Sequence, residues 1–174
     1  MTEVVNNPSH ANPQWYALQT RYRFERKVTL QLQRQGVETF LPLLKEVHRW
    51  SDRRKLVDTL LFPGYTFVRL NFSPLIQKKI VQTQGLIGLI TFAGEAAPVP
   101  AKQIDDLRTL LSQKVPCALH PFLKVGQRVR ICNGSLDGLE GILEETGQKK
   151  LVISIAAIQR ALAITIEGYE LQLI

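Results

Sequence analysis

The sequence predicts an α+β domain, an antiparallel sheet with packed helices, followed by a small all-β barrel. Three observations carry that prediction. Strand-like and helix-like segments alternate over residues 14–112. The stretch "SQKVPCALHPF" (112–122) contains two prolines and no periodicity, and reads as a linker. Beyond it, five of the eleven glycines fall within 126–147 and separate short β-rich runs, the pattern of a tightly turned barrel. The expected units are therefore a disordered lead at 1–13, an α+β domain at 14–112, a linker at 113–122 and a barrel at 123–174.

"WYALQT" (15–20) reads as the first strand. Phe24, Val28 and Leu32 then recur at helical spacing in a helix that Gly36 ends. "VETFLP" (37–42) is a second strand, and "KEVHRWSDRRKLVD" (45–58) is a polar hairpin with Ser51 and Asp52 near its tip. In "LFPGYTFVRL" (61–70), Tyr65 to Leu70 reads as a strand entered through the rigid Pro63-Gly64 turn, with Phe62 and Tyr65 flanking the bend. Ser73-Pro74 is a capped helix start, running to about Gln84 before Gly85. "IGLITF" (87–92) is another strand, and Pro100 opens a helix whose Ile104, Leu107 and Leu111 share a face. In the second half the strands are "RVRIC", "EGILEE", "KKLVISI", "ALAITI" and "YELQL".

Composition narrows the function classes. No apolar run reaches the ~18–20 residues of a membrane span, and the start lacks a secretory pattern, so a cytoplasmic protein is expected. Cys117 and Cys132 lack partner motifs and the three histidines are scattered, so neither a disulfide framework nor a metal or other cofactor is expected. The net charge of +7 divides into +6 over residues 1–113 (fifteen Lys/Arg, nine Asp/Glu) and +1 over 114–174 (seven against six). A basic first half favours a polyanionic partner. Enzymatic motifs are missing: there is no P-loop, dinucleotide fingerprint, His-Glu-x-x-His or nucleophile elbow.

The glycine spacing from Val125 to Ile142, with turn glycines Gly126, Gly134, Gly138 and Gly141, resembles the KOW motif of SH3-like barrels. KOW barrels also occur in ribosomal proteins, so a ribosome- or RNA-binding protein without a polymerase role is the alternative. "WYALQTRYRFERKV" and "LFPGYTFVRL" resemble the two signatures of the NusG N-terminal (NGN) domain, and the order NGN, linker, KOW is that of the NusG family. "RWSDRRKLVDTLLFPGY" and "APVP" are more similar to the specialised paralogues, the group with RfaH and the regulators of polysaccharide operons.

The resemblance implies a monomeric transcription elongation and antitermination factor. It would bind the clamp helices of RNA polymerase through an apolar concavity, bridge the DNA cleft and suppress pausing. By that likeness Phe62, Tyr65, Phe67, Trp15 and Tyr16 form the polymerase contact, while Arg21, Arg23, Lys27, Arg34 and Thr83 face the non-template DNA strand. Arginine suits that strand, since its guanidinium both pairs with phosphates and stacks on unpaired bases. The family's phenylalanine-bearing barrel turn is replaced by Gly134-Ser135-Leu136, and its Phe-Gly-Arg element by Ile158-Gln159-Arg160. Leu136, Ile158 and Arg160 are then the expected contacts to ribosomal protein S-ten, with Rho the weaker expectation. A His-Thr-Thr run of RfaH is replaced by Ile76-Gln77-Lys78. The β-branched runs "LVISI" and "ITI" favour a barrel that stays a barrel.

Overall fold

The computed structural model describes residues 12–123 and 125–174. The first half contains β1 (Gln14–Thr20), α1 (Glu25–Arg34), β2 (Glu38–Phe40), β3 (Leu43–Arg49), β4 (Arg54–Leu60), β5 (Tyr65–Leu70), α2 (Pro74–Val81), β6 (Leu86–Leu89), β7 (Thr91–Phe92), β8 (Glu95–Ala96), β9 (Pro98–Val99) and α3 (Ala101–Ser112). An antiparallel sheet runs β2-β5-β1-β6, with β9 also beside β1. The hairpins β3–β4 and β7–β8 form separate two-stranded sheets.

β1 is central because both of its faces are apolar. Side chains alternate across a strand, and Trp15 and Ala17 enter one cluster while Tyr16 and Leu18 enter another. The second cluster is closed by α1 and α2 through Val28, Leu32 and Ile80. The first is closed by α3 through Ile104 and Leu107. The Ser73 hydroxyl accepts from the Ile76 N–H and caps α2, with Pro74 in its first turn. That helix ends at Val81, short of Gln84, because Gln82 and Gly85 leave it for a turn against Phe24.

The second half contains β10 (Ala118–His120), β11 (Arg128–Cys132), β12 (Glu140–Glu144), β13 (Lys150–Ile155), a 3₁₀ turn (Ala156–Ile158), β14 (Arg160–Thr165) and β15 (Glu170–Leu173). All pairings are antiparallel, in the order β10-β14-β13-β12-β11-β15. Val129, Ile131, Leu139, Leu151, Ile153 and Ile164 form its core, which Leu110 of α3 also enters.

The structure differs from the sequence reading at several points. The linker is partly a strand: β10 pairs with β14, with Leu119 opposite Leu162. "IGLITF" divides at Ile90 into β6 and β7, which pair with different strands: the Ile90 N–H continues the ladder to β1 at the Ala17 carbonyl, while its carbonyl takes the Ala97 N–H in line with the β7–β8 hairpin. Gly126, Gly134 and Gly138 have positive φ, as turns require, but Gly141 lies within β12. Its role is close approach: a Cβ there would sit 2.5 Å from the Val152 carbonyl oxygen. The expected disordered lead falls mostly on residues 1–11, outside the described residues.

Candidate functional site

The bend before β5 is held from three sides. Glu25, at the first position of α1, is 2 % exposed and its Oε1 accepts the Gly64 N–H at 2.8 Å. The Gly64 carbonyl in turn accepts the Thr20 N–H at 2.8 Å, and the Tyr65 N–H bonds the Phe62 carbonyl. The N-terminal end of α1 is a favourable place for that carboxylate. Gly64 has φ +86, which only glycine takes without strain. A buried 2.8 Å bond between the hydroxyls of Thr29 and Thr66 fastens α1 to β5 beyond the bend.

This geometry fixes a set of rings on one side of the sheet. Phe62 meets Phe67 edge to face at 6.3 Å, Phe40 lies 6.3 Å from Phe67, and Trp15 meets Phe40 at 6.5 Å. The Arg108 guanidinium lies over Trp15 and Phe40, at 5.1 and 5.3 Å. Tyr65 is half-buried at the rim. Tyr16 points to the opposite face, among the residues packed by α1 and α2, so it cannot belong to the same concavity as Trp15. Burial also pushes its phenol pKa up.

The rings are not open to solvent. Phe62 is 2 % exposed and Phe67 is fully buried. Ile155, Ile158 and Leu162 from the second half belong to the same apolar cluster as Phe62, Phe67 and Trp15. A polar contact closes the neighbouring edge: Lys102 on α3 donates to the Gly138 carbonyl at 2.7 Å and to the Asp106 carboxylate. Burial raises the Asp106 pKa, opposed by the Lys102 hydrogen bond. Glu140 is lowered, chiefly by its hydrogen bonds from Arg130. Burial, with the Glu46 charge, raises the Cys117 thiol near the same seam.

The expected barrel contacts separate. Leu136 is 1 % exposed inside the second half's own core, so it is not an apolar tip. The turn Gly134–Gly138 folds its side chain inward, with the Gly138 N–H bonded to the Ile131 carbonyl. Ile158 is buried against the first half, and only Arg160 is exposed.

Arg21, Arg23, Lys27 and Arg34 are all exposed and make no ion pair among the described residues. Arg23 has φ 66, and its guanidinium lies 5.3 Å from the Tyr22 ring centroid. Lys27 lies over Phe24 at 5.4 Å. The first three cluster at the start of α1, while Arg34 is seven residues further along, about 10 Å of helix rise. Thr83 departs from the set. It is 5 % exposed and its hydroxyl is buried without a partner, so it does not face a strand at the surface. Glu25, Lys102 and Asp106 are not among the site residues that the sequence predicts. Glu25 and Lys102 bond backbone groups 39 and 36 residues away, which leave no local signal, whereas the Lys102–Asp106 pair is an i,i+4 spacing present in the sequence itself.

The family model described as transcription termination factor NusG matches residues 13–108, more than half of the chain. The chain belongs to the NusG family. It is 24 % identical to the transcription termination/antitermination protein NusG of Lactococcus lactis, over 96 % of each chain. Against the NusG protein of Haemophilus influenzae it is 25 % identical, covering 88 % of this chain and 90 % of that one. Among solved structures, one described as domain interaction in Thermotoga maritima NusG superposes with a TM-score of 0.55 at 19 % identity, covering 91 % and 96 % of the two chains. That likeness supports the NusG fold. No helix among the described residues is long and apolar enough to cross a membrane.

Proposed function

We propose that this NusG-family chain is an elongation and antitermination factor that docks the clamp helices of RNA polymerase on the face built from Trp15, Phe62, Tyr65 and Phe67. The observation that carries this reading is the company those rings keep. Phe62 and Tyr65 flank a backbone corner fixed by Glu25, yet the apolar cluster they share with Trp15 and Phe67 is completed by Ile155, Ile158 and Leu162 from the other half of the chain. Rings held by a rigid corner and closed by a separable cover suit a docking surface, because preorganisation lowers the ordering cost of binding. Docking then requires the C-terminal sheet to leave that face.

On this reading Arg21, Arg23 and Lys27 face the displaced non-template strand, with Arg34 at the margin, and the factor bridges the DNA cleft and suppresses pausing. The hairpin and "APVP" stretches support service on particular long operons of the polysaccharide type. Once the cover is released, Ile158 and Arg160 are the groups available to ribosomal protein S-ten.

The test is co-purification of RNA polymerase with the chain. Phe62→Ala with Tyr65→Ala abolishes it, while Tyr65→Ala alone, at a half-exposed position, weakens it without lowering the melting temperature appreciably. Undiminished polymerase capture by the double variant would exclude this face.

A further inference from the structure

The β3–β4 hairpin carries a surface that the docking reading does not use. Residues 47–56 are exposed without interruption, and they include Val47, Trp50 and Leu56 at 60–61 % exposure. Strand register places Val47 opposite Leu56 and Arg49 opposite Arg54 on one face. On the other face His48 stands opposite Lys55. Like charges directly opposite each other destabilise a hairpin, and an exposed apolar pair gains nothing by folding alone. Among the described residues Arg49, Arg53, Arg54 and Lys55 make no ion pair. The hairpin's acids are engaged lower down: Asp58 with Arg26 at 3.2 Å, and Glu46 with Thr59 and His48. Asp52 is the one carboxylate at the tip.

We propose that this hairpin tip binds single-stranded DNA, stacking an unpaired base on Trp50 and holding the flanking phosphates with Arg49, Arg53 and Arg54. Unneutralised cations around an exposed aromatic ring match a strand whose bases are free to stack. A duplex would offer only its phosphates, since its bases are already stacked. The surface is continuous with the basic start of α1, because the Arg26–Asp58 pair joins the base of the hairpin to the residue beside Lys27. From that junction the tip extends about 15 Å along the strand direction. The hairpin therefore lengthens the path of the strand assigned to Arg21, Arg23 and Lys27, and it rests on that assignment for the strand's identity.

The test uses the full chain and a labelled single-stranded DNA of roughly 16 nucleotides. The chain has two tryptophans and Trp15 is 3 % exposed, so quenching of tryptophan emission reports on Trp50. The DNA strand is expected to quench that emission. Trp50→Ala should lose both the quenching and at least about five-fold in affinity, while Trp50→Phe retains most of the affinity. Arg53→Ala with Arg54→Ala should lower the slope of log affinity against log salt by about 1.4, at roughly 0.7 per phosphate contact. Arg21→Ala with Arg23→Ala tests the neighbouring assignment separately. Loss of affinity in the hairpin variants alone supports the hairpin and removes the α1 loop. Loss in the loop variants alone overturns the hairpin proposal. Equal or tighter binding of the matching duplex, competition by polyglutamate as effective as by DNA, or quenching by an RNA strand and not by DNA would also overturn it.

Discussion

Replacing Ile158 with alanine tests whether the two halves close over the rings as an equilibrium. Ile158 is 5 % exposed, and it belongs to the cluster with Phe62 and Trp15, not to the core of its own sheet. The change removes about three methylene-sized groups, at roughly 0.8 kcal/mol each, or about 2.4 kcal/mol before any cavity cost. Core truncations of this kind span about 2–5 kcal/mol. Because the loss falls on the contact between halves, it shifts the open–closed ratio and leaves folding of the C-terminal sheet largely intact. At about 1.4 kcal/mol per factor of ten, the open population rises roughly fifty-fold. Hydrogen exchange resolved by segment reads the result. Protection should fall at residues 61–67 and 155–162 and persist at 128–132 and 150–154. Unchanged exchange at 61–67 would refute the reasoning, as would a collapse of protection through the whole C-terminal sheet.

Gly141→Ala should destabilise the C-terminal half by more than about 2 kcal/mol, since the new Cβ meets the Val152 carbonyl oxygen at 2.5 Å and the Leu151 side chain at 3.0 Å, and overpacking of this kind costs roughly 1–3 kcal/mol or more; chemical denaturation checks it. Glu25→Ala leaves the partly buried Gly64 N–H without its acceptor and should cost about 1 kcal/mol, with faster amide exchange at Gly64 by NMR as the local sign. Acid titration should separate two carboxylates. The Glu140 pKa is lowered from 4.5, so its stabilisation is present above that value and is lost as pH falls through the lowered one, and Glu140→Gln flattens that limb. Asp106 is raised from 3.8, so its contribution runs the other way: it is present below 3.8 and lost as pH rises through the raised value, and Asp106→Asn removes it.

The local grammar of this chain was legible wherever one element suffices to explain a residue. Ser73-Pro74 announced α2, the β-branched runs announced β13 and β14, and Pro63-Gly64 announced the corner. What escaped was set by distant partners. The linker's β10 exists because β14 offers it an edge, not because "ALH" favours a strand. Leu136 resembles an exposed tip in sequence, yet the turn at Gly134 and Gly138 sends it inward. Trp15 and Tyr16 are adjacent in sequence but serve opposite faces, as strand alternation requires. Phe62 was legible as a ring on a bend, but its cover from the other half was not.

The most direct test of the account is the affinity of the full chain for RNA polymerase, measured for the natural sequence, Ile158→Asp, and Ile158→Asp combined with Phe62→Ala and Tyr65→Ala. If the C-terminal half covers the docking face, apparent affinity is reduced by the fraction that is open. Ile158→Asp should then bind at least about ten-fold more tightly, and the triple variant should not bind. Equal affinity for the natural chain and Ile158→Asp, or full binding by the triple variant, would contradict the claim that these rings form a covered polymerase-docking surface.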